Sequence, residues 1–347
     1  MGLGGIEMID LRSDTVTLQT DEMREAMLNA KVGDDVYGED ETVNELEKYA
    51  AELVGKEAGL FVTSGTFGNQ VSILTHTKRG NEVILGDDCH IVQHEAGAGA
   101  VISGVQFRTV ESSNGILDPE KVISKIRKEE DIHYPKTALI CLETAHSSGK
   151  VVPLSMMEKI YNEAKKYDVA VHLDGARLFN AAVALNVDVK EITKFCNSVT
   201  FCLSKGLCAP IGSIVAGDAV FIERARKNRK IMGGGMRQAG FMAAPGLVAL
   251  KKMTKRLGED HENAKYLASE LSKIHEIELN LDDVEINMVF FKINTEKDTN
   301  QLQKFMLSKG IKILGPESNF FRFVTHYFIK KEHIEYIVEA VKEFLNE

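Results

Sequence analysis

Between about residue 55 and residue 220, short apolar runs alternate with stretches whose apolar residues recur at helical spacing, and few architectures accept that alternation. The runs are too brief for helices and are rich in aliphatic or β-branched residues, so they read as strands buried on both faces. Seven are predicted, over 59–63, 82–85, 105–110, 137–142, 169–173, 198–203 and 213–216, each bounded by Gly, Asp, Asn or Ser. A crossover helix is predicted over 153–167, where Leu154, Met157, Ile160, Tyr161 and Ala164 fall on one face. The class is α/β: a mostly parallel seven-stranded sheet wrapped by helices.

After a glycine cluster, the apolar stretch 241–253 reads as a helix leading out of the large unit. The pattern then changes to helix 261–273, strand 287–293, helix 300–309, strand 319–325 and a final helix with Ile334, Ile337, Val338, Val341 and Leu345 on one stripe. This is a smaller α+β C-terminal domain, predicted over 254–347, against a large domain over 21–253. The segment 1–20 is expected to pack with the small domain, and its glycine-rich start, residues 1–7, reads as an extension that the fold does not need. A cleft between the two domains is the default place for a ligand.

Composition narrows the function. The 51 acidic and 42 basic residues leave a formal charge of -9, which argues against nucleic acid as the main partner. No stretch approaches the roughly 20 consecutive apolar residues of a membrane helix, and the N-terminus lacks a secretory pattern, so a cytoplasmic protein is expected. The five cysteines contain no CxxC pair and read as reduced, buried thiols; no metal site is expected from them.

Three local patterns carry chemistry. In Thr63-Ser64-Gly65-Thr66, a strand ends in small polar residues where a helix begins, which can aim backbone N–H groups and hydroxyls at a phosphate. A plain N-cap would look the same, and no dinucleotide fingerprint or P-loop occurs. In His172-Leu173-Asp174-Gly175-Ala176-Arg177, a buried strand delivers a carboxylate to the carboxyl end of the sheet, where it could accept an N–H from a heteroaromatic cation. In Leu203-Ser204-Lys205-Gly206-Leu207, one lysine sits among apolar and small residues, where desolvation makes its amine available for imine formation. Phosphate turn, strand-end Asp and later strand-end Lys, in that order, is the order expected of a fold-type-I pyridoxal-phosphate enzyme.

The chain resembles the low-specificity threonine aldolases, including the L-allo-threonine aldolases, over nearly its whole length from Met8. The motifs that carry the resemblance are Asp10-Leu11-Arg12-Ser13-Asp14-Thr15-Val16-Thr17, Val32-Gly33-Asp34-Asp35-Val36-Tyr37-Gly38, the Ser64-Gly65-Thr66 turn, the His172 to Arg177 run, Ser204-Lys205-Gly206-Leu207 and Arg322-Phe323-Val324-Thr325-His326. The resemblance implies that Lys205 holds the cofactor as a Schiff base, Asp174 pairs with its pyridine nitrogen, and Ser64, Gly65 and Thr66 bind its phosphate. It implies that Arg322 holds the substrate carboxylate with Ser13 and Arg177 assisting, and that Arg177 lies near the cofactor oxygen. His90 is similar to the histidine that stacks on the cofactor ring, and His133 to a second active-site histidine. The Tyr37 loop and the glycine cluster with Arg237 would approach a neighbouring subunit's site, in a homotetramer with sites at the dimer interface.

The reaction so implied is cleavage of L-threonine or L-allo-threonine to glycine and acetaldehyde, with His90, His133 or a bound water as base at the β-hydroxyl. Two alternatives stand beside it: another pyridoxal-phosphate reaction of amino acids on the same fold, and a non-catalytic binding protein of that fold. The second has no need of an imine-forming amine. His94-Glu95 is half of a zinc-protease motif, but Ala98 stands where its second histidine should be.

Overall fold

The computed structural model describes residues 8–317 and 320–346. The extension over 1–7, and Asn319 at the head of the last predicted strand, lie outside the described residues. The chain forms two compact units, one from Leu18 to Thr254 and the other joining the N-terminal segment through Thr17 to the chain from Lys255 onward.

The first unit is built on seven strands: β1 (Ala58–Val62), β2 (Glu82–Gly86), β3 (Gln106–Val110), β4 (Thr137–Glu143), β5 (Ala170–Asp174), β6 (Ser198–Cys202) and β7 (Ser213–Gly217). Their order across the sheet is β1-β7-β6-β5-β4-β2-β3. Strands β2 to β6 run parallel, and β7 runs antiparallel to both β1 and β6. The expected α/β architecture is therefore present, each strand within a residue or so of its predicted place. Parallel register sets Glu143, Asp174 and Thr200 side by side on adjacent strands. The carboxyl ends of β2, β4, β5 and β6 thus share one edge.

The crossover helix Leu154–Lys166 buries Met156, Met157, Ile160 and Ala164; of the predicted stripe, Leu154 and Tyr161 are only half-buried. Two helices, Asp21–Leu28 and Glu41–Leu53, are not among the predicted elements. The second is held by Asp40, fully buried, whose carboxylate accepts from Val43 N (3.0 Å) as its cap and from Gly240 N (2.8 Å) across the fold. A buried ion pair, Arg229 Nη2 to Asp35 Oδ2 at 2.5 Å, ties the turn Asp35–Tyr37 to β1, because Arg229 Nη1 also donates to Phe61 O (2.8 Å).

The second unit carries a three-stranded antiparallel sheet of β8 (Ile277–Glu278), β9 (Met288–Ile293) and β10 (Phe321–Val324), and a short parallel pair between Ile9–Asp10 and Ile311–Lys312. Its core centres on Phe291, stacked on Phe321 and edge-on to Phe323 at centroid distances of 5.6 and 4.9 Å. The final helix, Lys331–Asn346, buries Ile334, Ile337, Val338 and Val341 as its apolar stripe requires. The predicted helix 300–309 divides into a 3-10 turn, Thr299–Gln301, and a short helix, Leu302–Ser308.

The helix Gly65–His76 lies directly on β6. A Cβ on Gly68 would stand 2.5 Å from Thr200 Cγ2, so only glycine permits this approach. Gly68→Ala should destabilise the protein by about 1–3 kcal/mol, read as a lower urea midpoint. An unchanged midpoint would contradict the close packing.

Candidate active site

Strand β5 ends in Asp174, 3% exposed, at the carboxyl edge of the sheet. Its Oδ1 accepts from Ala176 N (3.0 Å) and its Oδ2 from Asn69 Nδ2 (2.7 Å), which fixes both oxygens. Gly175 lets the chain turn away immediately, since a Cβ there would stand 3.0 Å from Thr200 O. Asn69 and Gln70 come from the helix Gly65–His76 and reach Asp174's edge because Gly68 brings that helix onto β6.

A second carboxylate completes the group. Glu95, 2% exposed, accepts at Oε1 from Asn69 Nδ2 (2.8 Å) and from His90 Nδ1 (2.9 Å), and at Oε2 from Gln70 Nε2 (2.6 Å). Asn69 therefore spends its two amide hydrogens on two different carboxylates. The hydrogen bond to Glu95 holds His90 above the ordinary imidazole pKa, with the Asp174 charge adding to it and the Lys205 ammonium opposing. Behind His90, Glu143 Oε2 accepts from His90 N (2.7 Å); burial, reinforced by the neighbouring Asp174 charge, raises Glu143's pKa.

His90, Glu95 and Asp174 each offer a ligand atom within 4.8 Å of the others. The Asn69 amide is bonded to both carboxylates, so donor hydrogens already occupy the space where a cation would draw them together. Lys205 follows β6 in a turn closed by Cys208 N to Lys205 O (2.9 Å), half-buried and near enough to act electrostatically on His90. At the start of the helix Gly65–His76, Ser64 Oγ accepts from Phe67 N (3.1 Å) and the first helical backbone bond is Gly68 N to Ser64 O (3.0 Å). The N–H groups of Gly65 and Thr66 precede that bond and have no helical acceptor. A Cβ on Gly65 would stand 2.9 Å from Cys202 Sγ, so this turn packs against the end of β6, three residues before Lys205.

The structure thus brings Asp174, His90, Lys205 and the Ser64 to Thr66 turn to one edge of one sheet. Arg177 is half-buried at the head of the helix Leu178–Leu185, three residues beyond Asp174. His133 stands apart on an exposed loop, its Nδ1 bonded to Asp131 Oδ1 at 2.7 Å. Tyr37 is 75% exposed, and Arg237, also exposed, pairs with Asp34 (3.0 Å). Ser13 and Arg322 belong to the second unit: Ser13 caps the turn Asp14–Val16, and Arg322, on β10, donates from Nη2 to Arg12 O (3.3 Å). Sequence reasoning missed Asn69, Gln70, Glu95 and Glu143; the available signal was two amides in the first turns of an otherwise apolar helix.

A raised His90 pKa means that its pair with Glu95 stabilises the fold fully below the ordinary value of 6.5 and loses that contribution as pH rises through the folded-state value. In Glu95→Gln the His90 imidazole should titrate lower than in the parent protein, read from its NMR shifts. Identical titration curves would refute this pairing.

The family model of the beta-eliminating lyases matches residues 10–294. A low-specificity L-threonine aldolase of Arabidopsis thaliana is 44% identical over 342 residues, which cover 96% of each chain. That of Escherichia coli (strain K12) is 43% identical over 339 residues, covering 97% of this chain and 99% of its own. A solved threonine aldolase of Leishmania major shares the fold with a TM-score of 0.81 at 18% identity, over 97% of this chain and 99% of that one. The fold is that of the fold-type-I pyridoxal-phosphate enzymes. With more than two-fifths of its residues identical to those relatives over nearly its full length, the chain belongs to the low-specificity L-threonine aldolases, carbon–carbon lyases of the beta-eliminating lyase family.

Proposed function

We propose that this protein binds pyridoxal 5'-phosphate and cleaves L-threonine, L-allo-threonine and related β-hydroxy amino acids to glycine and the corresponding aldehyde. The observation that carries the reading is Asp174, buried and immobilised by Ala176 and Asn69, at the same sheet edge as Lys205 and an open helix N-terminus. The donor set fits the cofactor: a carboxylate for the pyridine nitrogen, an amine for the aldehyde, and the N–H groups of Gly65 and Thr66 with the Ser64 and Thr66 hydroxyls for the phosphate. When bound, the cofactor supplies the electron sink that accepts the pair left at the substrate α-carbon.

The chain's own residues do the rest. Asp174 would hold a proton at the pyridine nitrogen, and Asn69 keeps Asp174 in place. Lys205 would provide the amine that holds the cofactor through its aldehyde. Arg322, assisted by Ser13 and Arg177, holds the substrate carboxylate on paired guanidinium donors and so decides which bond is presented for cleavage. His90, kept protonated further up the pH scale by Glu95, is suited to orient and polarise. Acceptance of the β-hydroxyl proton then falls to a bound water, since His133 lies on an exposed loop ahead of β4. The exposed Tyr37 and Arg237, tied together through Asp34 and Asp35, are the surfaces through which a neighbouring subunit would complete the site in a homotetramer.

Among the described residues no helix is long and apolar enough to cross a membrane, and all five cysteines are free and buried, which supports a cytoplasmic setting.

Acetaldehyde should be released from L-threonine and L-allo-threonine by the cofactor-loaded protein without folate or a keto acid. Turnover that requires either co-substrate would assign it to another reaction of the same fold. Arg322→Ala should raise KM on the order of tenfold to a hundredfold while the cofactor stays bound. Loss of the cofactor instead would place this arginine at the phosphate.

A further inference from the structure

A second concave site lies in the Leu18–Thr254 unit at the opposite edge of the sheet, where the parallel strands begin. It has a volume of about 460 Å³, within the usual range for small-molecule sites. Lys78, Lys136, Lys165 and Arg224 line it together with His76 and a single carboxylate, Asp168. That is an excess of three fixed positive charges in a chain whose formal charge is -9.

Among the described residues, none of these cations takes part in an ion pair. On the helix Leu154–Lys166, Lys159 and Lys166 each pair with a glutamate at 2.5 Å, whereas Lys165 faces the cleft. Among the described residues, no carboxylate lies within ion-pair distance of the ammonium groups of Lys78, Lys136 or Lys165. Arg224 is oriented by donating Nη2 to Thr75 O (2.6 Å). Like charges gathered on a concave wall repel one another until an anion enters.

His76 links this cleft to the cofactor edge. Its Nε2 lies 2.8 Å from Ser198 Oγ, which lies 2.8 Å from His172 Nδ1, and His172 Nε2 lies 3.2 Å from Asn69 Oδ1. The direction of every bond follows from the carboxylates. Asn69 gives both amide hydrogens to Asp174 and Glu95, so its Oδ1 must accept from His172 Nε2–H. His172 Nδ1 then accepts from the Ser198 hydroxyl, and Ser198 Oγ accepts from His76 Nε2–H. Burial lowers His172 to about 3 and His76 to about 4, so both rings are neutral and each has one donor and one acceptor.

We propose that the cleft binds a small molecule bearing clustered phosphate groups, and that the chain His76–Ser198–His172–Asn69 transmits its occupancy to Asp174. Compact lysine ammoniums around an oriented guanidinium suit several separate phosphate charges better than one flat carboxylate.

The test titrates inorganic pyrophosphate into the cofactor-loaded protein by calorimetry, so that the Ser64 to Thr66 turn is already filled, with citrate as the polycarboxylate comparison. One pyrophosphate per chain is expected to bind, at least roughly tenfold more tightly than citrate, and Lys78→Gln with Lys165→Gln should weaken it by roughly tenfold or more. Both lysines are exposed, and unchanged melting of that variant shows that the fold is intact. No binding, equal binding of citrate, or undiminished binding to the double variant overturns the phosphate site. Pyrophosphate should also shift the His172 imidazole resonances, and Ser198→Ala should abolish that shift while binding stays within about twofold. An absent shift in the parent, or one that survives Ser198→Ala, overturns the relay.

Discussion

One side-chain amide, that of Asn69, holds two buried carboxylates beside each other, donating to Asp174 at 2.7 Å and to Glu95 at 2.8 Å. Two desolvated negative charges at that separation are costly unless donors lie between and around them. Asn69 and Gln70 from one helix, Ala176 N just beyond β5 and the His90 ring supply those donors. The carboxylate that would face a pyridine nitrogen is therefore preorganised before any ligand arrives. Gly68 is part of the same constraint, because without its close approach to Thr200 the helix could not lay Asn69 against β5.

How much of this was legible depended on the range of each interaction. The strands of the large sheet were readable from short apolar runs and their flanking Gly, Asp and Ser, because burial on both faces leaves a local signature. The helix Asp21–Leu28 leaves little trace, because it buries only Met23, whereas Glu41–Leu53 does carry a local signature, Val43, Leu46 and Ala50 at helical spacing behind the Asp40 cap. The antiparallel sense of β7 leaves no mark in its own five residues. At the site, Asp174, Lys205 and the Ser64 to Thr66 turn could be found because each sits at a strand end with a local reason to be there. Glu95 could not, because its role is defined by Asn69, 26 residues away, and Asp174, 105 residues from Asn69.

The two edges of the sheet are chemically opposite. At the carboxyl edge, buried acids are satisfied by amides and an imidazole; at the amino edge, exposed cations surround a cleft. Strand β5 spans the two, beginning with Ala170 in the cleft wall and ending with Asp174. His172 lies at its middle, fully buried, and only its two hydrogen bonds explain why the strand carries a histidine where an aliphatic residue would bury more cheaply. In the second unit, the cluster of Phe291, Phe321 and Phe323 fixes β10, and with it the backbone that presents Arg322.

The assignment of Lys205 as the lysine that holds the cofactor is tested most directly by borohydride reduction of the protein loaded with pyridoxal phosphate, followed by peptide mapping. A single phosphopyridoxyl group is predicted, on the peptide that contains Lys205, with the other lysines unmodified. A label on a different lysine, or none on a protein that nonetheless cleaves threonine, would contradict it.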